Sequence, residues 1–302
     1  MSNNAEGRAA GKILLFLLLV STAVLLAGVI NARTVRLEYS DARIRGLDAR
    51  LEGVKVLYVS DLKISSPADA RRAVRMIRTL CECEPDVLLI GGDICSKSLT
   101  DTIKERFFGR TAQETAERLS LARDEFLSGL NGILVKYGVY AVYGDADTAL
   151  GAQQQAAYST RFLNNSTHSI NINGARLYIA GYADIGVNAY GAFRFSPDAA
   201  GAGATLVMFH DPRIYNTAVL EAKKQKGAYL FLSGHTLDGQ IKLGGRALLY
   251  PDISAAYPSG VYSDESGLAM LVSSGAGSEG FPFRLGTRAR AYLITLNRGV
   301  GE

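Results

Sequence analysis

Three aspartates and two histidines in this chain share one grammar: each follows a short apolar run. Residues 56–60 run into Asp61, and residues 87–90, followed by two glycines, run into Asp93. Residues 139–143 and Gly144 precede Asp145. Residues 206–209 precede His210, and residues 229–232 with Ser233 and Gly234 precede His235. Carboxylate oxygens and imidazole nitrogens in this proportion suit a borderline divalent metal such as zinc, manganese or iron. An aspartate after a strand also commonly caps a helix or turn, and a lone histidine after an apolar run is often a core residue. The recurrence carries the signal: the chain has three histidines, and two of them stand at these positions.

Each run is too short for a helix and is bounded by turn residues, so each reads as a strand buried on both faces. The clearest is VLLI at 87–90, between Pro85-Asp86 and Gly91-Gly92. Ligands of open α/β sheets bind beyond the carboxyl ends of such strands. Residues 67–82 open on Pro67 and carry Ala70, Val74, Ile77 and Leu80 at helical spacing, which predicts a helix joining two strands in a βαβ unit. Residues 98–131 are helical with a break at Gly109-Arg110. Residues 148–163 read as a further helix. Residues 35–39 alternate as an edge strand does. Beyond residue 169 the pattern predicts a hairpin (170–172 with 175–180), a helix at 213–226, and short strands at 229–232, 240–243, 246–250, 268–273 and 291–296. A βαβαβ first half and a mostly β second half predict an α/β fold of two facing mixed sheets flanked by helices, a four-layer αββα sandwich.

Hydrophobic content of 48% and charged content of 21% describe a chain with a sizeable core. The net charge of +4 is mild, and no dense Lys/Arg block offers a nucleic-acid footprint. Residues 1–12 are polar. Residues 13–30 are uncharged and just long enough to span a bilayer. A signal peptide competes with this reading, but Ile30 is large for the −3 position of a cleavage site before Ala32. The reading is therefore a single-pass anchor embedded in the lipid bilayer, followed by one domain at 33–302. Arg33, Arg36, Arg43 and Arg45 after the span outnumber Arg8 and Lys12 before it, which argues for a cytoplasmic domain. Long folded domains are exported largely regardless of charge, and the expectation is the outer face of a cell membrane. Cys81, Cys83 and Cys95 do not form an even disulfide framework and read as buried thiols.

The strand-end motifs, Asp61-x-Lys63, Gly91-Gly92-Asp93, Gly144-Asp145-Ala146-Asp147, His210-Asp211-Pro212 and Gly234-His235-Thr236-Leu237-Asp238-Gly239-Gln240, resemble the calcineurin-like metallophosphoesterases. The nearest branch is similar to membrane-anchored or exported bacterial phosphodiesterases. The resemblance runs from about residue 45 and includes the glycine-rich segment 274–286. It implies a hydrolase acting on phosphodiesters or monoesters, with two metals roughly 3.5–4 Å apart clamping a phosphate. A phosphorylated small molecule or a lipid head group would be the partner.

This chain departs from the family pattern at defined places. Asp61, Asp93, His210 and His235 match. Asp145 replaces an asparagine and remains an oxygen ligand. Lys63 stands where a ligand histidine is expected, Ala146 where a histidine assists the leaving group, and Leu237 where the last ligand histidine belongs. The resemblance thus implies metal ligands Asp61, Asp93, Asp145, His210 and His235, with Asp61, Lys63 and Asp93 as catalytic residues. The losses fall on the first metal position, so one ion rather than two is expected, with a Lys63–Asp61 pair in place of the other. Turnover is expected to be slow or restricted to good leaving groups. The alternative is an inactive module that binds a phosphorylated ligand or a partner at the membrane. His168 is the one spare histidine available as a replacement acid. Residues 91–98 approach a phosphate-binding P-loop, but Ser96 stands where its second glycine is required.

Overall fold

The computed structural model describes residues 2–148, 150–182, 203–225, 227–249 and 256–299, with side chains from residue 11 onward. Two six-stranded mixed sheets face each other. The first has the order β1(Arg36–Ile44), β14(Arg290–Arg298), β2(Lys55–Val59), β3(Val87–Ile90), β4(Val139–Ala141), β5(Thr160–Phe162). In it β2 to β5 run parallel, and β14 is antiparallel to β2. The second has the order β12(Gly260–Ser263), β13(Ala269–Val272), β9(Ala228–Ser233), β8(Ala204–Phe209), β7(Ala175–Tyr182), β6(Ser166–Ile172). Here β13, β9, β8 and β7 are parallel, and β6 forms the expected antiparallel hairpin with β7.

The layers follow from side-chain alternation. Val56, Tyr58, Val87 and Leu89 point into the space between the sheets and meet Leu206, Met208, Leu230 and Leu232. Leu57, Val59, Leu88 and Ile90 point the other way, onto α2(Pro67–Leu80) and α4(Ala112–Leu130). Val207, Phe209 and Phe231 meet α6(Tyr215–Lys223) on the far side. This is the four-layer αββα sandwich. All four residues of β3 are fully buried. At about 1.5–3 kcal/mol for each buried aliphatic side chain, they hold the strand that carries Asp93 with about 6–12 kcal/mol of transfer free energy.

The helices start where the sequence places caps. Ser66 caps α2 by accepting the Asp69 N–H, with Pro67 in the first turn. α3(Leu99–Phe107) and α4 each begin with a capping box, Ser98/Asp101 and Thr111/Glu114, on either side of the break at Gly109-Arg110. The buried Asp101 carboxylate ties the two helices by ion pairs to Arg110 and Arg118.

The helix expected at 148–163 does not form. A single turn, α5(Ala152–Gln155), is followed by β5, which adds to the edge of the first sheet. Phe162 stacks on Tyr143 at 4.6 Å between ring centroids and Thr160 is buried, so pairing with β4 overrides local helical spacing. Residue 149 lies outside the described residues. Strand β12 was not expected. It alternates half-buried and exposed residues along the outer edge beside β13. β10(Lys242–Leu243) and β11(Arg246–Ala247) make a small separate ribbon.

α1(Ser2–Arg33) is one continuous helix, and its segment Gly11–Arg33 is long and apolar enough to cross a membrane. It stands clear of the sandwich over most of that length.

Candidate metal centre

The carboxyl ends of β2, β3, β4, β8 and β9 meet at one edge where both sheets open. Ten described non-glycine residues have positive φ, and seven of them lie in the loops here: Asp61, Lys63, Asp93, His235, Leu237, Asp238 and Gln240. Such backbone costs of order 1–3 kcal/mol per residue where it is unfavourable, and it persists only where surrounding structure enforces it. The two sheets supply that enforcement. Gly144 is required by close approach: a Cβ there would stand 2.2 Å from Asp93 Oδ1.

Four ligand atoms, one each from Asp93, Asp145, His210 and His235, lie within 4.8 Å of one another. His210 Nε2 is 3.2 Å from Asp93 Oδ2 and 3.3 Å from Asp145 Oδ1, and His235 Nδ1 is 3.1 Å from Asp145 Oδ1. Ligand atoms bonded about 2.1 Å from a tetrahedral ion stand about 3.4 Å apart, so these separations suit a common ion. His210 Nδ1–H donates to the Gly91 carbonyl at 2.8 Å, which leaves Nε2 facing the carboxylates. Nε2 is fully buried and faces both carboxylates at these distances. The donor set and its spacing together fit a divalent cation.

Asp61 is buried but stands outside this cluster. Its oxygens accept the His235 N–H at 3.1 Å and the Ser60 hydroxyl at 2.6 Å, and Oδ1 is 3.8 Å from His210 Nε2. The expected Lys63–Asp61 pair does not form. Lys63 Nζ bonds the Asp93 carboxylate and, at 2.6 Å, Glu279 Oε2. The register of β2 beside β3 explains this: Lys63 N–H bonds the Asp93 carbonyl, which sets the two residues side by side. Burial alone would discharge the ammonium, but the carboxylates of Asp93, Glu279 and Asp61 outweigh it and hold Lys63 above the ordinary lysine range. Burial would likewise raise Asp93, yet His210 and Lys63 keep it below the usual carboxylate range. Asp145, only half-buried, is lowered by its contacts with His210 and His235.

Leu237, where a ligand histidine was expected in the family pattern, is buried. Beside it lies Arg284, a fully buried guanidinium that donates to the carbonyls of Leu237, Gly275 and Gly277. Burial brings its pKa down to about 10. Glu279 and Arg284 were missed in the sequence, and both lie in the glycine-rich segment 274–286. Charged residues among glycines were the available signal. Asp147 was also missed. It accepts the N–H groups of Gly144 and Cys95 at 3.0 and 3.1 Å and pins the Asp145 loop, and burial followed by the nearby Asp93 charge pushes it up to about 6. The Ala146 N–H donates to Asp93 Oδ1 at 3.0 Å, so position 146 contributes backbone and no imidazole.

His168 sits on β6 against Arg161 and the Tyr140 ring, away from the cluster. Asp238 anchors a turn, accepting from Lys242, Ser259 and Thr287. Cys95 is buried and outside the ligand set, and burial raises its thiol. Residues 94–96 run alongside Ile64, and Lys97 pairs with Glu105 rather than turning onto a phosphate cradle.

The surrounding carboxylates also raise His210 well above the ordinary histidine range, against the effect of burial. A cation entering the cluster must therefore displace a proton held there at neutral pH. We predict release of about one proton per ion bound at pH 7, and affinity that falls about tenfold per pH unit on acidification from there. Calorimetry in buffers of different ionisation enthalpy measures this. Binding at pH 7 with no proton release would show that His210 is already neutral.

No family model matches the chain. A transmembrane protein with a metallophosphoesterase domain from Bos taurus is 24% identical, over 92% of this chain and 61% of its own length. An uncharacterised metallophosphoesterase of Helicobacter pylori is 25% identical over 83% of the chain and 62% of its own length. The chain thus spans about three fifths of the length of these curated relatives. Among solved structures, a dimetal phosphatase from Danio rerio aligns at a TM-score of 0.42 and 11% identity, over 74% of this chain and 88% of that one. Over most of its length the chain is similar to proteins named as metallophosphoesterases.

Proposed function

We propose that this chain is a membrane-tethered phosphoesterase that holds one divalent ion, manganese, iron or zinc, between Asp93, Asp145, His210 and His235. The observation that carries the reading is the fully buried Nε2 of His210 facing the Asp93 and Asp145 carboxylates at ligand spacing. When bound, such an ion supplies Lewis acidity toward a phosphoryl oxygen and lowers the pKa of water.

The chain's own residues set the rest. Gly91 fixes the His210 tautomer through Nδ1. Asp61 positions His235 by binding its backbone N–H. Lys63 places a point charge against Asp93 where a second ion would stand, and an ammonium neutralises without Lewis acidity. Asp145 is half-exposed, so a phosphoester enters from that side. With alanine at position 146, the proton for the leaving group comes from water, which favours substrates whose leaving groups are acidic.

Residues 13–30 serve as the tether, residues 33–302 as the catalytic domain on the outer face of the membrane, and the substrate is a phosphorylated small molecule or a lipid head group. A second reading is a module that binds a phosphorylated ligand without turning it over. The Lys63–Asp93 pair and the missing imidazole at 146 favour it.

Elemental analysis of the purified full chain, with hydrolysis of an activated aryl phosphodiester assayed on the same sample, separates these readings. The expected result is about one equivalent of metal, lost together with activity in His235→Ala. Metal without turnover would establish the binding module, and a metal-free chain with a folded core would reject the four-ligand site.

A further inference from the structure

The junction between α1 and the sandwich is tightly built. The Phe283 ring lies over Gly28 so closely that a Cβ there would be 2.1 Å from the ring. Arg284 N–H donates to the Gly28 carbonyl at 2.9 Å, and Ala289 N–H to the Asn31 carbonyl at 3.2 Å. The end of the apolar helix is therefore held against the domain, and a bilayer boundary near it is fixed relative to the fold.

A cavity of about 470 Å³ opens at that junction. Ala32 and Arg33 line it from α1, Met76 from α2, Leu99 and Ile103 from α3, and Phe281 from the glycine-rich segment. Five cationic side chains line it, Arg33, Lys63, Arg72, Lys97 and Arg118, against the single carboxylate of Asp69. Lys63, Arg72, Lys97 and Arg118 have counter-ions in Asp93 and Glu279, Asp69, Glu105 and Asp101, whereas Arg33 makes no ion pair among the described residues. Among its lining residues the buried Ser278 Oγ and Arg118 Nε have no hydrogen-bond partner, while Arg118 Nη2 pairs with Asp101.

The rim is apolar and exposed where exposure is costly. Leu99, Ile103 and Phe107, spaced four apart on α3, are 46%, 41% and 75% exposed, and Phe108 beside them is 76% exposed. Phe281, 40% exposed, stacks on Phe283 at 5.9 Å, which links the ring lying over Gly28 to the cavity lining. Contiguous exposed apolar surface marks an interaction site. Cations beside exposed aromatics and aliphatics suit an anionic bilayer surface.

We infer that this cavity binds an anionic phospholipid from the leaflet that α1 enters. Its phosphate lies among the cations that line the cavity, and its acyl chains lie over Leu99, Ile103 and Phe107. The inference rests on the reading of α1 as a membrane tether. The cavity is separate from the metal cluster, but Lys63 lines it while bonding Asp93, so the lipid lies one side chain from the candidate centre.

The chain contains no tryptophan, so a single introduced one reports alone. The full chain carrying Ile103→Trp is placed in phosphatidylcholine vesicles doped with a minor fraction of phosphatidylglycerol brominated on its acyl chains. Quenching several-fold stronger than by the same fraction of brominated phosphatidylcholine is expected. Arg33→Glu with Lys97→Glu should abolish the preference, and inorganic phosphate should leave it unchanged. Equal quenching by both lipids, no quenching, or loss of the preference to inorganic phosphate would overturn the inference. Phe281→Trp provides a second reporter should the first variant misfold. Phe16→Trp reads the tether: if it is unquenched, the membrane reading itself has failed. If it is quenched while Ile103→Trp shows no lipid preference, only the lipid site has failed.

Discussion

Ala146→His is expected to raise kcat toward substrates with poor leaving groups by about 10²–10⁴-fold, the usual contribution of a positioned general acid. The residue is exposed, next to Asp145, and its N–H already bonds the Asp93 carboxylate at 3.0 Å. An imidazole added there projects from the loop beside the cluster without displacing core atoms, so the melting temperature should hardly move. The gain should shrink as the leaving group becomes more acidic, because protonation then matters less. Steady-state rates across phosphodiesters of graded leaving-group pKa measure this. A gain that is flat across the series, or absent, would show that proton delivery does not limit the reaction and would leave the binding module as the better reading.

Lys63→Met should destabilise the metal-free fold by about 1.5–3 kcal/mol, the worth of a hydrogen bond to a charged group, because His210 still faces Asp93 at 3.2 Å. Lys63 and Asp93 side chains are 7% and 0% exposed, so water cannot replace the lost charge. Asp93 sits at the end of a fully buried strand and cannot move out to find it. Glu279 is 30% exposed and can turn to solvent, which places the cost mainly on Asp93. Chemical denaturation with and without a divalent ion tests the prediction, since a bound cation should restore part of the loss. A change below about 1 kcal/mol would mean that Asp93 is neutralised by other means. In contrast, Lys63→His with Leu237→His replaces the cation with two ligands, and metal content should rise towards two equivalents. Content unchanged at one would reject the assignment of Lys63 as the substitute for an ion.

The sequence by itself determined which residues stand at the strand ends. A run such as VLLI is too apolar for a surface and too short for a helix, so Asp93 had to follow a buried strand, and the same reasoning placed Asp61, Asp145, His210 and His235. Pro67 with helical periodicity likewise located α2, and Gly109-Arg110 the break between α3 and α4. Local pattern could not say which of those residues meet. That Asp93, Asp145, His210 and His235 converge while Asp61 turns to a backbone N–H depends on strand register and on the gap between two sheets. Lys63 chose Asp93 and Glu279 over Asp61 because parallel pairing sets it beside Asp93, and Glu279 arrives from 216 residues further along the chain. Arg284 under Leu237, β5 at the sheet edge and Phe283 over Gly28 were decided the same way. Each is a contact between residues distant in sequence, whose free energy exists only once the sandwich has closed.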